Sequence, residues 1–256
     1  MRPLGRGAEV VAGVRVTEHL ARSRRLDVYA AWDEARACPV VVKALRREGE
    51  LLCLLAHPHL VRAYGVHGEP RDAVVLETLA GRTVQHALAS ARRRPTAAQV
   101  AVLGGQLGGA LRFLHCHEVL HLDVKPGNVV LGDDGLARLI DLSHAGPPGR
   151  YEPGRGTWSA RSPEQCRGGE LTAAADVWGL GLLLRELASG ANTLEALADF
   201  HDTDDPALVA PVPPVRAGRP RLHRGLAGVL DAMLAPGPAD RPGLDEVLAR
   251  LADVAG

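Results

Sequence analysis

His121-Leu122-Asp123-Val124-Lys125-Pro126-Gly127-Asn128 places an acid, a base and an amide within eight residues, and the apolar run Val129-Val130-Leu131 follows at once. Such a run reads as a short buried strand, so the polar cluster sits on a loop that a strand pins down. Asp123 suits taking or steering a proton, and Lys125 suits holding a phosphate. Asn128 suits binding a metal through its side-chain oxygen. These are the requirements of phosphoryl transfer. A second acid, in Asp141-Leu142-Ser143, follows a second apolar strand from Leu136 to Ile140. Two acids and an amide converging on one point suit magnesium, a hard cation that takes oxygen ligands and phosphate.

The elements that must position these groups follow from the apolar pattern. Val10 to Leu20, Leu26 to Trp32, Pro39 to Leu45, Leu60 to Val66 and Ala73 to Leu79 read as five strands, with Ala21 to Arg25 as a turn after the first. Lys43 lies inside the apolar run of the third strand. A lysine there either meets an anion or snorkels to water along its stem. Glu48 to Leu55 has helical spacing and ends at His57-Pro58-His59. From Thr83 onward the chain reads as mostly helical. A long helix over Ala97 to His117 carries Val100, Leu103, Leu107, Leu111 and Leu114 on one face. Gly104, Gly105, Gly108 and Gly109 weaken that helix relative to alanine, and close packing of another helix accounts for them. Ser143 to Thr157 reads as a loop, Thr172 to Ser189 as a buried helix with Asp176 a lone acid in it, and Asp202 to Pro214 as a loop. Leu222 to Leu234 and Leu244 to Val254 read as closing helices.

Composition bounds the rest. The chain has 256 residues, and 46% are apolar but only 3% aromatic, so Leu, Val and Ala fill the core. Thirty basic residues balance thirty acidic ones, which gives no global argument for nucleic acid. Cys38, Cys53, Cys116 and Cys166 are widely spaced and fit reduced thiols in the cytoplasm. No stretch has the length and apolarity of a signal peptide or membrane span. The histidine pairs His57/His59 and His115/His117 sit at a helix stop and a helix end, which explains them without a metal.

Several further segments fall in the order of a known family. Val41-Val42-Lys43, His57-Pro58, the loop from His121 to Asn128, Asp141-Leu142-Ser143, Ser162-Pro163-Glu164, Asp176-Val177-Trp178-Gly179 and Asp240-Arg241-Pro242 resemble, in sequence order, the marks of a eukaryotic-type serine/threonine protein kinase of the bacterial, actinobacterial-like kind. The resemblance runs from about Val14 to Ala255. It implies an α+β, two-lobed protein-kinase fold: a small five-stranded antiparallel N-lobe with one helix over residues 1–79, and a larger, mainly helical C-lobe over 80–256. Together these make one kinase domain. It implies ATP and Mg2+ as cofactors. Lys43 would bind the α- and β-phosphates and pair with Glu48. Asp123 would orient the substrate hydroxyl and accept its proton, Lys125 would contact the γ-phosphate, and Asn128 and Asp141 would hold magnesium. Leu20, Val28, Val41 and Val130 would sandwich the adenine. Glu77 and Leu79 would offer backbone groups to its edge, with Leu76 as gatekeeper. Thr157 would touch Asp123, Asp176 would brace the catalytic loop, and Glu164 and Arg241 would form a buried ion pair.

The chain departs from that pattern at four places. Ala21, Ser23 and Leu26 stand where the phosphate-covering turn has glycines, with Arg22, Arg24 and Arg25 among them. Either this turn stays off the phosphates or arginine charge replaces backbone contacts. Glu48 follows Lys43 by only five positions, with Glu50 as the fallback partner. Leu122 stands where many relatives have the arginine that meets an activation-loop phosphate, so control by loop phosphorylation is less expected. Asp-Leu-Ser replaces Asp-Phe-Gly and removes a glycine hinge. The expected function is an ATP- and magnesium-dependent serine/threonine protein kinase. The alternative is a pseudokinase that acts as a nucleotide-binding or scaffold module. The expected partners are a protein substrate with Ser or Thr and a separate regulatory protein, in the cytoplasm, with no nucleic acid and no membrane span.

Overall fold

The computed structural model describes residues 3–22, 27–43, 52–68, 72–91, 93–190, 194 and 205–256. The chain divides into two compact units, Met1–Ala80 with Asp141–Ser143, and Gly81–Ile140 with His144–Gly256.

The first unit is built on an antiparallel sheet of β1 (Glu9–Val11), β2 (Val14–Arg22), β3 (Asp27–Asp33), β4 (Cys38–Lys43), β5 (Ala63–His67) and β6 (Ala73–Glu77), in the order β1-β2-β3-β4-β6-β5. Among the described residues six strands replace the expected five. Gly13, at φ +73°, turns the first apolar stretch back on itself and pairs Val11 with Val14. Strand β2 also runs further than expected, pairing Ala21 with Val28 and Arg22 with Asp27. Period-two alternation sorts the side chains. Tyr29, Ala31, Val40, Val42, Ala73 and Val75 form one buried face with Val10, Val11, Val14 and Val16. The register Val28↔Lys43, Ala30↔Val41 and Val41↔Leu76 puts Val28, Val41, Lys43 and Leu76 together on the opposite face. Of the helix expected over Glu48 to Leu55, residues 52–54 are helical, and Glu48 and Glu50 lie outside the described residues. Ser23 and Leu26 also lie outside them.

The second unit is mainly helical. A three-stranded sheet, β7 (Gly81–Thr83), β8 (Val129–Gly132) and β9 (Ala137–Leu139), carries the polar loop on its middle strand. Gly81, at φ +142°, sits where a Cβ would collide with the Leu131 carbonyl oxygen, so only glycine fits this strand start. Helix α1 (Val84–Ser90) follows, then α2 (Ala97–Cys116), opened by a reciprocal Thr96/Gln99 capping box. Leu107, Leu111 and Leu114 of α2 are fully buried, each contributing roughly 1.5–3 kcal/mol. Gly104 and Gly108 let the leucine tips of neighbouring helices approach: a Cβ on Gly104 would lie 2.7 Å from Leu251 and 2.8 Å from Leu184. Gly105 and Gly109 differ, because a Cβ there meets none of the described residues within 4 Å. Helix packing therefore accounts for two of the four glycines.

The Gly- and Pro-rich stretch after residue 143 is not wholly loop. It contains β10 (Gly149–Tyr151), which pairs with β11 (Gly169–Leu171) on either side of α3 (Pro163–Arg167). Helix α4 (Ala173–Ser189) is apolar nearly all round and buried, with Thr172 capping its start and Gly190, left-handed at φ +76°, closing its end. The short helix α5 (Pro206–Val209) occupies part of the stretch expected as loop, and α6 (Val215–Gly218) begins just after it. Helices α7 (Arg224–Met233) and α8 (Leu244–Ala255) close the chain as expected. Among the described residues no helix is long and apolar enough to cross a membrane.

Candidate active site

A single 3₁₀ turn over Pro126–Asn128 leads the polar loop into β8. The Asp123 side chain, 4% exposed, is held at both oxygens. Its Oδ1 accepts from the Thr157 amide at 2.8 Å. Its Oδ2 accepts from Lys125 Nζ at 2.8 Å and from Asn128 Nδ2 at 2.8 Å. Lys125 Nζ also donates to the Thr157 hydroxyl. Asn128 uses its amide nitrogen again on the Asp123 carbonyl, at 2.9 Å. Its side-chain oxygen accepts no hydrogen bond from the described residues, and oxygen is the atom a hard cation takes. Asp123, Lys125, Asn128 and Thr157 thus form one connected, charge-assisted cluster.

The loop's backbone is fixed from below by α4. Asp176, fully buried, accepts from the His121 amide at 2.8 Å, the Leu122 amide at 2.7 Å and His115 Nε2 at 2.7 Å. Burial alone would raise this carboxyl. The hydrogen bond and charge of His115, with His121 beside it, hold it below the usual carboxylate value instead. Leu122 stands at φ +61°, in the left-handed region that a branched side chain rarely adopts. Gln165 Nε2 donates to its carbonyl at 2.9 Å, and to that of Arg155 at 3.1 Å. The Leu122 side chain packs with Leu120, Leu171 and Ala175, with Tyr151 against them.

The segment from His144 to Ser162 is held by its own arginines. Arg155 donates to the carbonyls of His144 (2.6 Å) and Ala145 (3.1 Å) and lies over the Tyr151 ring. Arg161 donates to the Gly156 carbonyl at 3.0 Å and pairs with Asp205 at 3.1 Å. Gly156, at φ +90°, lies so close to the Leu122 carbonyl that a Cβ would reach it at 2.5 Å. That approach brings Thr157 to Asp123. Further along, Arg241 forms a bidentate pair with Glu164 at 2.5 and 2.9 Å. It also donates to the carbonyls of Ala235, Ala174 and Pro236 and stacks on the Trp178 ring at 4.9 Å.

In the first unit, Lys43 Nζ lies 3.5 Å from Asp141 Oδ1, which also accepts from the Ser143 amide at 3.0 Å. Lys43 is only 8% exposed, so an anion meets it rather than open water. Val28, Val41 and Leu76 share its sheet face, while Leu20, at a β-bulge in β2, is 49% exposed. Glu77 accepts from the Arg62 amide at 2.8 Å, and Leu79 follows β6 half-buried. Val130 belongs to β8 of the second unit, paired with Thr83 and Arg138. Glu48 lies outside the described residues.

Sequence reasoning missed His115, Gln165, Arg155 and Arg161. His115 read as an ordinary helix-end residue. The one available signal for Gln165 was its place three residues after Ser162, the spacing of a capping box, which the structure forms.

The chain is similar to known proteins over most of its length. It is 35% identical over 168 residues to an Aurora kinase of Schizosaccharomyces pombe, covering 64% of this chain and 46% of that protein. It is 28% identical over 253 residues to the serine/threonine-protein kinase PknH of Mycobacterium tuberculosis, covering 94% of this chain and 38% of that protein. A serine/threonine-protein kinase of Myxococcus xanthus is 26% identical over 257 residues, covering 94% of this chain and 30% of that protein. The chain therefore spans less than half the length of each of these relatives. The protein kinase domain family matches residues 4–251, a span that takes in the antiparallel sheet, the Asp123 cluster and the Arg241–Glu164 pair, and the chain belongs to that family.

Proposed function

We propose that the chain is an ATP- and magnesium-dependent serine/threonine protein kinase. The observation that carries this reading is the Asp123 carboxylate, fixed at Oδ1 by Thr157 and at Oδ2 by Lys125 and Asn128. A carboxylate so oriented can align a hydroxyl and accept its proton as the oxygen bonds to the γ-phosphorus and the bond to the β-phosphate breaks. Lys125 places a positive charge beside that carboxylate for the transferring phosphoryl oxygens. Lys43, buried beside Asp141, is the residue for the α- and β-phosphates, and Glu48 is its proposed glutamate partner. Leu20, Val28, Val41 and Val130 with Leu76, Glu77 and Leu79 are the proposed adenine contacts. Asn128 and Asp141 supply oxygen donors that fit magnesium, whose charge would neutralise the phosphates.

Leu122 sits in an apolar cluster rather than as a cation awaiting phosphate, and Arg155 and Arg161 already tether the segment after residue 143. This supports activity that does not wait for phosphorylation of that segment. The acceptor is a Ser or Thr of a cytoplasmic protein, and input comes from a separate regulatory protein.

A second reading, a nucleotide-holding scaffold without transfer, draws on one observation. Ala21 lies within β2 where the family has glycine, and Arg22 and His19 both engage Asp27, at 3.3 and 3.0 Å. Phosphate transfer from ATP to a generic basic protein, with Asp123→Asn as control, separates the two. Transfer that is absent, or indifferent to the substitution, overturns the kinase reading.

A further inference from the structure

A groove of about 820 Å³ runs along the outer side of α2 in the second unit. It lies between the start of that helix and the β8–β9 hairpin. Its walls are largely aliphatic: Val102 and Leu103 from the helix, Leu131 and Leu136 from the hairpin. None of Asp123, Lys125, Asn128 or Thr157 lines it. The two walls are tied together by Gln106, which accepts from the Ala137 amide at 2.7 Å and donates to the Gly135 carbonyl at 3.4 Å. The groove is therefore preformed, and Val102 remains 50% exposed in it.

Its charge is one-sided. The charged residues that line it are Arg93 and Arg94, at the end where the chain enters α2. Among the described residues, neither pairs with a carboxylate. Neither acid of the hairpin tip lines the groove: Asp134 is engaged by Arg138 at 2.6 Å, and Asp133 lines a separate depression beside Gly81 and Arg82. The helix surface beside Val102 continues through Gly105 and Gly109. Both weaken α2 by about 1 kcal/mol relative to alanine, and no packing among the described residues explains either, because a Cβ there meets none of them within 4 Å.

We propose that this groove is a docking site for a segment of a partner protein that carries apolar side chains flanked by aspartate or glutamate. Apolar walls take the aliphatic side chains, as a groove takes one face of an amphipathic helix. Arg93 and Arg94 take the carboxylates, best as bidentate pairs. The bare helix surface at Gly105 and Gly109 lets the segment's backbone come close. The site is separate from the phosphoryl-transfer chemistry and stands whether or not the chain transfers phosphate.

The test uses the intact chain and fluorescence anisotropy. The probe is a short labelled helical peptide with glutamates in its first turn and leucines at i, i+3, i+4 and i+7. Saturable binding is expected, and it weakens by at least about tenfold when lysines replace the glutamates or when the protein carries Arg93→Glu with Arg94→Glu. Gly105→Gln separates docking from folding: it raises the melting temperature, because it removes a helical glycine whose Cβ would meet open space, yet weakens peptide binding by at least about tenfold. Absence of saturable binding at millimolar peptide overturns the proposal, as does equal binding of the two peptides or binding indifferent to these variants. Displacement of the peptide by micromolar decanoate overturns it in favour of a small amphiphile. Self-association of the chain alone that Arg93→Glu with Arg94→Glu disperses overturns it in favour of a second copy.

Discussion

Asp176 accepts the amide of Leu122 at 2.7 Å while Leu122 stands at φ +61°. A left-handed conformation at such a residue costs about 1–2 kcal/mol. The buried carboxylate offsets that cost by also taking the neighbouring His121 amide. Asp123, the next residue, therefore leaves the backbone in a direction fixed by a helix rather than by the loop itself.

Asp176→Ala is expected to destabilise the chain by about 3–5 kcal/mol, because it strands two buried amides and His115. Urea unfolding measures this. Its folded-state carboxyl is held below the ordinary value, so its contribution to stability is full above that value and is lost as pH falls toward the folded one. Stability of the parent chain should fall from about pH 4 downward, and Asp176→Asn should flatten that acid limb.

Arg241 and Glu164 form a pair with the Arg241 side chain fully buried and Glu164 11% exposed. Arg241→Met leaves the carboxylate without its partner and should cost about 3–5 kcal/mol. Adding Glu164→Gln should restore part of that loss, so the double-mutant cycle gives a coupling of about 1–3 kcal/mol. Additive losses would show that the arginine acts through its carbonyl contacts and the Trp178 ring alone.

The glycines of α2 make a paired comparison. Gly104→Ala forces a methyl toward the leucines of two packed helices and should destabilise by about 1–3 kcal/mol. Gly109→Ala meets open space and should stabilise by about 1 kcal/mol. Thermal melts of the two variants should shift in opposite directions.

Much of this was legible in the sequence. Helix α2, the buried α4 and the two closing helices follow from apolar spacing and caps strong enough to survive tertiary context. The clustering of Asp123, Lys125 and Asn128 follows from three polar types crowded ahead of an apolar strand. The split between β1 and β2 was not legible, because Gly13 lies inside an apolar stretch that alternates on both sides. The β10–β11 pair was not legible either: strands of three residues carry no periodicity, and their register depends on distant partners. His115 was passed over because one helix-end histidine gives no hint of a carboxylate lying 61 positions further on.

Nucleotide binding has its own readout. ATP with magnesium at about one hundred times its dissociation constant should add about 2.7 kcal/mol of stability, a rise of several degrees in melting temperature. Lys43→Met should remove most of that rise, since Lys43 is the buried cation beside Asp141.

The most direct measurement is the initial rate of phosphate transfer from labelled ATP to a protein acceptor, for the parent chain and for Asp123→Asn. The substitution keeps the side chain's size and its bond to the Thr157 amide but removes the proton acceptor. A fall of at least about one hundredfold, with label recovered on serine or threonine, is the expected result. Equal rates for the two proteins, or no transfer by either, would contradict the assignment of Asp123 as the residue that takes the proton.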